Sequence, residues 1–181
     1  MVYVFLADGF EEIEALATVD ILRRAGFRVN TVGVNKNEIV GSHGIKVVAD
    51  IKTGEYAALD LEAVVLPGGM PGTRNLEANA TVCNAAKQAL KDGKLVAAIC
   101  AAPSILGHMG LLRGRKATCY PGFEKDLIGC DYQNCAIVVD ENIITARGAG
   151  TVFEFAFTIV DKLTGSYRFS KQLRESMQCT R

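Results

Sequence analysis

Short apolar runs closed by turn residues alternate along this chain with segments whose apolar positions recur at helical spacing. Val2 to Ala7, Ala63 to Leu66 and Leu95 to Ile99 carry no polar interruption, the pattern of strands buried on both faces of a parallel sheet. Between the first of these and a second strand at Phe27 to Val34 lies a predicted helix. Glu11, Glu12 and Glu14 stand near its start, Ile13, Leu16, Ala17 and Ile21 form its apolar stripe, and Arg23 and Arg24 precede a stop at Gly26. A strand, helix and strand in that order imply a crossover and parallel pairing.

The remainder extends the alternation. Asn35 to Asp50 is turn-rich and sets Ile39-Val40 against Val47-Val48, which predicts a small antiparallel excursion serving as an edge or flap. The run Pro67-Gly68-Gly69-Met70-Pro71-Gly72 ends the Ala63 to Leu66 strand, and a helix from Thr81 to Asp92, stopped by Gly93, brings the chain back. After Leu95 to Ile99 comes a helix with Pro103 in its first turn, where a missing N–H is harmless. Lys116 to Cys119 reads as a brief strand ending at Tyr120, Glu124 to Ile128 as a short helix, and Ala136 to Val139 with Ile143 to Ala146 as a hairpin across Asp140-Glu141-Asn142. Thr151 and Glu154 have capping-box spacing at the start of a helix with Val152, Phe155, Ala156, Ile159 and Leu163 on one face; Gly165 ends it and a polar helix spans Ser166 to Gln178.

Such alternation indicates an α/β three-layer sandwich around a mainly parallel sheet, with one domain over residues 1–181. Function then belongs at the carboxyl ends of the strands. Asp8 to Glu14, Pro67 to Gly72, Cys100, Tyr120 and Arg147 to Gly150 all follow strands in this reading.

Composition narrows the field. At 181 residues with 49% hydrophobic and 22% charged, the chain suits one sizeable core. Its 20 Lys and Arg balance 20 Asp and Glu, so no basic excess exists to hold nucleic acid. The first residues lack a basic segment followed by a long apolar one, and no apolar run approaches membrane-spanning length, so a cytoplasmic protein is expected. Cys83, Cys100, Cys119, Cys130, Cys135 and Cys179 form no Cys-x-x-Cys pair or zinc-type cluster, which points to reduced thiols with no metal and no cofactor.

The candidate chemistry centres on Cys100, which falls on a sharp strand-to-helix turn with Ala98 and Ala102 at the small-residue positions of a nucleophile elbow. Free N–H groups at a helix start lower a thiol's pKa, so a thiolate near neutral pH is expected. Gly68, Gly69 and the N–H of Ala101 are candidate oxyanion donors. Glu11 and Glu14 share a helix face; turned to the elbow, a carboxyl kept neutral there donates to the sulfur, while turned outward it belongs to a solvated first turn. His43 and His108 are the only histidines, and neither is placed by the pattern beside Cys100. Tyr120 is a candidate proton donor or a packing residue.

Taken together, Asp8-Gly9-Phe10-Glu11-Glu12-Ile13-Glu14, Leu66-Pro67-Gly68-Gly69, Ala98-Ile99-Cys100-Ala101-Ala102-Pro103 and Arg147-Gly148-Ala149-Gly150-Thr151-Val152-Phe153-Glu154 resemble the ThiJ/PfpI superfamily, in the branch of the human Parkinsonism-associated deglycase and bacterial YajL. The resemblance implies a flavodoxin-like sandwich, a homodimer, Cys100 as the reactive and oxidation-prone cysteine, Glu14 as its protonated partner, and Gly69 and Ala101 as backbone donors, with Gly68, Glu11, Tyr120 and Arg147 as auxiliary candidates. It implies cofactor-independent action on methylglyoxal or early glycation adducts, or alternatively redox sensing or chaperone activity through oxidised Cys100. Tyr120 stands where the human protein has a histidine, so a mechanism through Cys100 and Glu14 is expected rather than one using an imidazole. Ala101 replaces the histidine of the PfpI-type peptidases, which disfavours peptidase activity. An inert buried cysteine is the remaining reading.

Overall fold

The computed structural model describes residues 1–179. In chain order the elements are β1 (Val2–Leu6), α1 (Glu12–Arg24), β2 (Val29–Gly33), β3 (Glu38–Val40), β4 (Lys46–Val48), β5 (Ile51–Lys52), β6 (Ala63–Leu66), α2 (Gly72–Glu77), α3 (Ala80–Lys91), β7 (Leu95–Ile99), α4 (Pro103–His108), β8 (Lys116–Ala117), β9 (Asp131–Tyr132), β10 (Ile137–Asp140), β11 (Ile143–Ala146), α5 (Val152–Thr164) and α6 (Tyr167–Ser176). The main sheet runs β10-β11-β7-β6-β1-β2-β5, with only β10 antiparallel to its neighbour.

Side-chain alternation sorts β1 between two cores. Val2, Val4 and Leu6 pack with α1 and α5, whereas Tyr3 and Phe5 pack against the α3 and α4 side, giving helices on both faces of the sheet. β7 does the same with Leu95, Ala97 and Ile99 on one face and Val96 and Ala98 on the other. This is why both strands read as unbroken apolar runs.

Topology places the loops. The chain leaves β1 towards β2 on one side and then returns to lay β6, β7 and β11 on the other, so the order reverses between β1 and β6. Ligand crevices of open α/β sheets form at such a reversal. Register aligns the ends: Leu66 pairs with Ala98 and Ile99 with Ala146, which sets Gly68, Cys100 and Arg147 in a row just past three neighbouring strands.

Several details differ from the sequence expectation. β5 and α2 form in segments to which the sequence pattern assigns no element, because two residues of ladder and a six-residue helix leave too little periodicity to detect. The Lys116 to Cys119 strand shortens to β8, which pairs with β9 in a separate two-stranded sheet, so Tyr120 does not close a strand of the main sheet. The hairpin pairs Asp140 with Ile143, leaving a two-residue turn in which Glu141 takes φ +49°. No capping box forms at Thr151, whose Oγ1 donates to the Gly148 carbonyl at 2.7 Å while Glu154 accepts from Arg174 Nη2 at 2.7 Å.

Candidate active site

Cys100 is held in a conformation that L-residues seldom adopt, with φ +64°. Backbone bonds on both sides over-determine it: its N–H donates to the Ala146 carbonyl at 2.9 Å, and its own carbonyl accepts from the Tyr120 N–H at 2.8 Å. Fully buried Ala98 and Ala102 flank it, and Pro103 opens α4 immediately afterwards. The strand and helix are thereby joined by one sharp turn that leaves the sulfur partly accessible.

Glu14 lies on the inward face of α1 and is only 1% exposed. Its Oε2 accepts the Gly68 N–H at 2.8 Å. Oε1 is buried without a hydrogen-bond partner among the described residues, and the carboxyl lies beside the Cys100 side chain, which lowers its pKa. Gly68 is needed for space: a Cβ there would stand 2.6 Å from Cys100 Cβ and 2.7 Å from Glu14 Oε2. Gly69 has φ +91° and is boxed in by the Glu11 N–H and the Gly9 carbonyl, so both its conformation and its surroundings require glycine. The backbone N–H groups of Ala101 and Gly69 face the sulfur and favour its ionised form.

Protonation departs from the expectation of a thiolate set by the helix start. Burial first, then the charge of Glu14 and the hydrogen bond with it, push the Cys100 thiol up to about 12, against the downward pull of the Ala101 and Gly69 amides. Two amides and a helix of six residues do not outweigh burial beside a carboxylate. Burial likewise raises Glu14 to about 7; the Gly68 N–H and Cys100 lower it, and the charge of Glu11 raises it. The carboxyl and the thiol therefore titrate as a pair, whose singly ionised form exists as two tautomers, carboxylate with thiol or carboxylic acid with thiolate. At neutral pH the charge of the pair rests chiefly on the Glu14 carboxylate, with Cys100 as the thiol.

The other acidic residues of α1 point elsewhere. Glu11 Oε2 accepts from Ser42 Oγ at 3.2 Å, while its backbone N–H donates to the Gly68 carbonyl at 2.9 Å. Glu12, which the sequence did not single out, is 4% exposed and pins the β3–β4 loop: it accepts from the His43 N–H at 2.8 Å and lies 2.9 Å from His43 Nδ1. Burial works against its ionisation, but the His43 side chain and the N–H groups of Glu12, His43 and Ile45 prevail and hold it at about 2. Burial of Glu12 depends on Gly41, where a Cβ would collide with its carboxyl group. That tertiary relation leaves no local signal in the sequence.

Neither histidine reaches the sulfur. His43 belongs to the Glu12 cluster, and His108 bonds Glu77 at 2.6 Å and Asp126 at 3.3 Å. Tyr120 touches the elbow through its backbone, its ring lying against Gly148 and half exposed. Arg147 follows β11 and, with Tyr120, lines a cleft of about 380 Å³. A larger cavity of about 490 Å³, lined by Asp8, Lys36, Asn75 and Asn79, lies past β1 and β2 and includes neither Cys100 nor Glu14. Cys119 is fully buried in the second core, its thiol pushed up to about 12 by burial and by the charges of Glu124, Cys130 and Asp126.

Comparison with known proteins followed the same lines. The DJ-1/PfpI family profile matches residues 1–162. DJ-1 homolog B of Arabidopsis thaliana is 39% identical over 91% of this chain, which spans only 38% of that relative's length. A deglycase of Pyrococcus abyssi is 35% identical over 84% of this chain and 92% of its own. A glutathione-independent glyoxalase of Caenorhabditis elegans is 31% identical over 91% of this chain and 88% of its own. Among solved structures, a DJ-1 superfamily protein from Salmonella typhimurium, crystallised as a cysteine-to-alanine mutant, superposes with a TM-score of 0.94 at 37% identity, covering 98% of this chain and 97% of that one.

Proposed function

This chain belongs to the DJ-1/PfpI family, and we propose from that premise that it is a cofactor-independent enzyme of the glyoxalase or deglycase type, acting through Cys100 and Glu14. The observation that carries this reading is the buried Glu14 carboxyl, bonded to the Gly68 N–H and set beside the Cys100 side chain on a strained elbow. A structural cysteine needs neither the strain nor a buried ionisable neighbour. The deglycase and glyoxalase among its relatives support the same reading.

The steps follow from the groups present. Glu14 as carboxylate takes the thiol proton while the sulfur adds to the aldehyde carbon of methylglyoxal, and the protonated carboxyl then delivers that proton to the new oxygen, completing a hemithioacetal. The amides of Gly69 and Ala101, already directed at the sulfur, stabilise negative charge as it develops on the adjacent oxygen. Glu14 next removes the proton from the former aldehyde carbon and returns it to the neighbouring carbonyl carbon, while the hydroxyl proton passes to the former ketone oxygen, converting the hemithioacetal into a thioester of the hydroxy acid. Water cleaves the thioester, releasing lactate and restoring the thiol. The net change is methylglyoxal plus water to lactate, without external oxidant or reductant. Tyr120 has no place in these proton transfers, since its contact with the elbow is through the backbone.

The protein acts as a cytoplasmic homodimer on small reactive aldehydes or glycated groups. Among the described residues no helix is long and apolar enough to cross a membrane. Exposed Ile13 and Phe153, on the adjoining helices α1 and α5, favour self-association, which light scattering measures directly.

The assay is lactate formation by purified protein without glutathione or added metal, wild type beside Cys100→Ser. More than one lactate per protein molecule in the wild type and none in the variant is the expected result; aldehyde loss that stops at one equivalent per thiol contradicts it.

A further inference from the structure

The cleft beside the elbow is larger than a three-carbon aldehyde requires. At about 380 Å³ it falls within the size range of pockets that bind whole organic ligands, about 300–1,000 Å³. Its walls are Tyr120, Pro121, Arg147, Gly148, Ala149 and Thr151, so it offers an aromatic ring and bare backbone around a single cation. Two backbone bonds connect it to the reacting residue. Tyr120 donates its N–H to the Cys100 carbonyl, and Ala146, directly before Arg147, accepts the Cys100 N–H.

Arg147 is the one arginine that lines this cleft. Arg23, Arg24, Arg28, Arg115 and Arg174 each pair with a carboxylate, whereas among the described residues the side chains of Arg74, Arg113, Arg147 and Arg168 form no hydrogen bond or ion pair, and of these four only Arg147 lines this cleft. Glu124 is near enough to feel its charge, but that carboxylate is occupied by the Gly122 N–H at 2.8 Å. An unmatched guanidinium lining a largely apolar cleft calls for an anion from outside.

We propose that Arg147 is the binding residue for a carboxylate carried by the substrate, so that the enzyme's substrates are adducts of a reactive aldehyde with a carboxylate-bearing amine or thiol rather than the free aldehyde alone. A carboxylate suits the site better than a phosphate. One guanidinium forms a matched two-point pair with a carboxylate, while a phosphate dianion would leave charge unneutralised with Glu124 nearby. This proposal rests on the function given above and narrows its substrate class.

Alkylation tests it without turnover. Iodoacetate and iodoacetamide react with a thiolate in the same way, the sulfur forming a bond to the methylene carbon as iodide leaves, and differ in carrying a carboxylate or a neutral amide. Mass spectrometry of the Cys100 peptide gives the ratio of the two rates. Arg147→Gln should lower the iodoacetate-to-iodoacetamide ratio at Cys100 about fivefold, Arg147→Lys should recover part of it, and added salt should reduce the wild-type ratio. Exposed Cys135 in the same sample serves as the reference, its ratio the same in all variants. Equal ratios at Cys100 in wild type and Arg147→Gln, with iodoacetamide labelling intact, overturn the proposal.

A second arm uses methylglyoxal adducts of an N-acetylated cysteine with a free carboxylate or a carboxamide. A lower KM for the carboxylate, lost in Arg147→Gln, supports the assignment; an equal KM for both adducts in the wild type overturns it. Absence of turnover on every adduct with the alkylation ratio behaving as expected refutes the enzymatic reading while upholding the anion site.

Discussion

The Gly68 N–H donates to Glu14 Oε2 at 2.8 Å, and the same glycine leaves the space through which Glu14 meets Cys100. Gly68→Ala would place a Cβ 3.0 Å from the Ile99 carbonyl as well as against both side chains. None of these neighbours yields easily, because Ile99 is in the central sheet and Glu14 is buried. Overpacking of this kind costs about 1–3 kcal/mol. Gly68→Ala should fold, melt several degrees lower, and lose most of its aldehyde turnover. Unchanged kinetics in a folded variant would mean that the Glu14 to Cys100 contact is dispensable.

Glu14 should give stability and activity opposite pH dependences. Its pKa rises from 4.5 unfolded to about 7 folded, so the folded state binds the extra proton between those values. The stabilisation is complete below about 4.5 and is lost as pH rises through 7, amounting to about 3 kcal/mol. Urea unfolding of Glu14→Gln should show a flatter profile across this window than wild type. Turnover needs the singly ionised pair, so kcat/KM should rise through an apparent pKa near 7. A profile already level at pH 5 would contradict the assignment.

Glu12 shows the opposite sign. Held at about 2, its carboxylate stabilises the fold above about 4.5, and that contribution disappears as pH falls through the folded value. Glu12→Gln keeps the shape but loses the charge that receives the His43 and Ile45 N–H groups. A loss of about 1–3 kcal/mol is expected, together with faster amide exchange at residues 43 and 45. Exchange that stays as slow as in wild type would show that the β3–β4 loop is held by other contacts.

The parallel strands were legible because burial on both faces removes polar residues from them, and α1 and α5 because their ends carry the expected charges and glycine stops. The gathering of the loops at residues 68, 100 and 147 on one edge of the sheet followed from that alternation, whereas their order came from the strand pairing. What escaped was tertiary. Nothing near residue 12 in the sequence announces that Gly41 makes room to bury its carboxylate, and nothing near residue 120 announces that Tyr120 meets Cys100 through its backbone N–H while its ring lies against Gly148. The thiol's protonation differs from the sequence expectation for the same reason: helix geometry is local, while burial in the folded chain and the charge of Glu14, 86 residues earlier, dominate it.

The most direct measurement is the number of lactate molecules formed from methylglyoxal per protein molecule by Glu14→Gln beside wild type, with Cys100 confirmed as free thiol in both. If Glu14 carries the proton between the two carbons, the wild type turns over many times and the variant is slower by about 10²–10⁴-fold while still forming the thiol adduct. Equal turnover in the two proteins would show that the buried carboxyl beside Cys100 is not the base, and the proposed mechanism would fall with it.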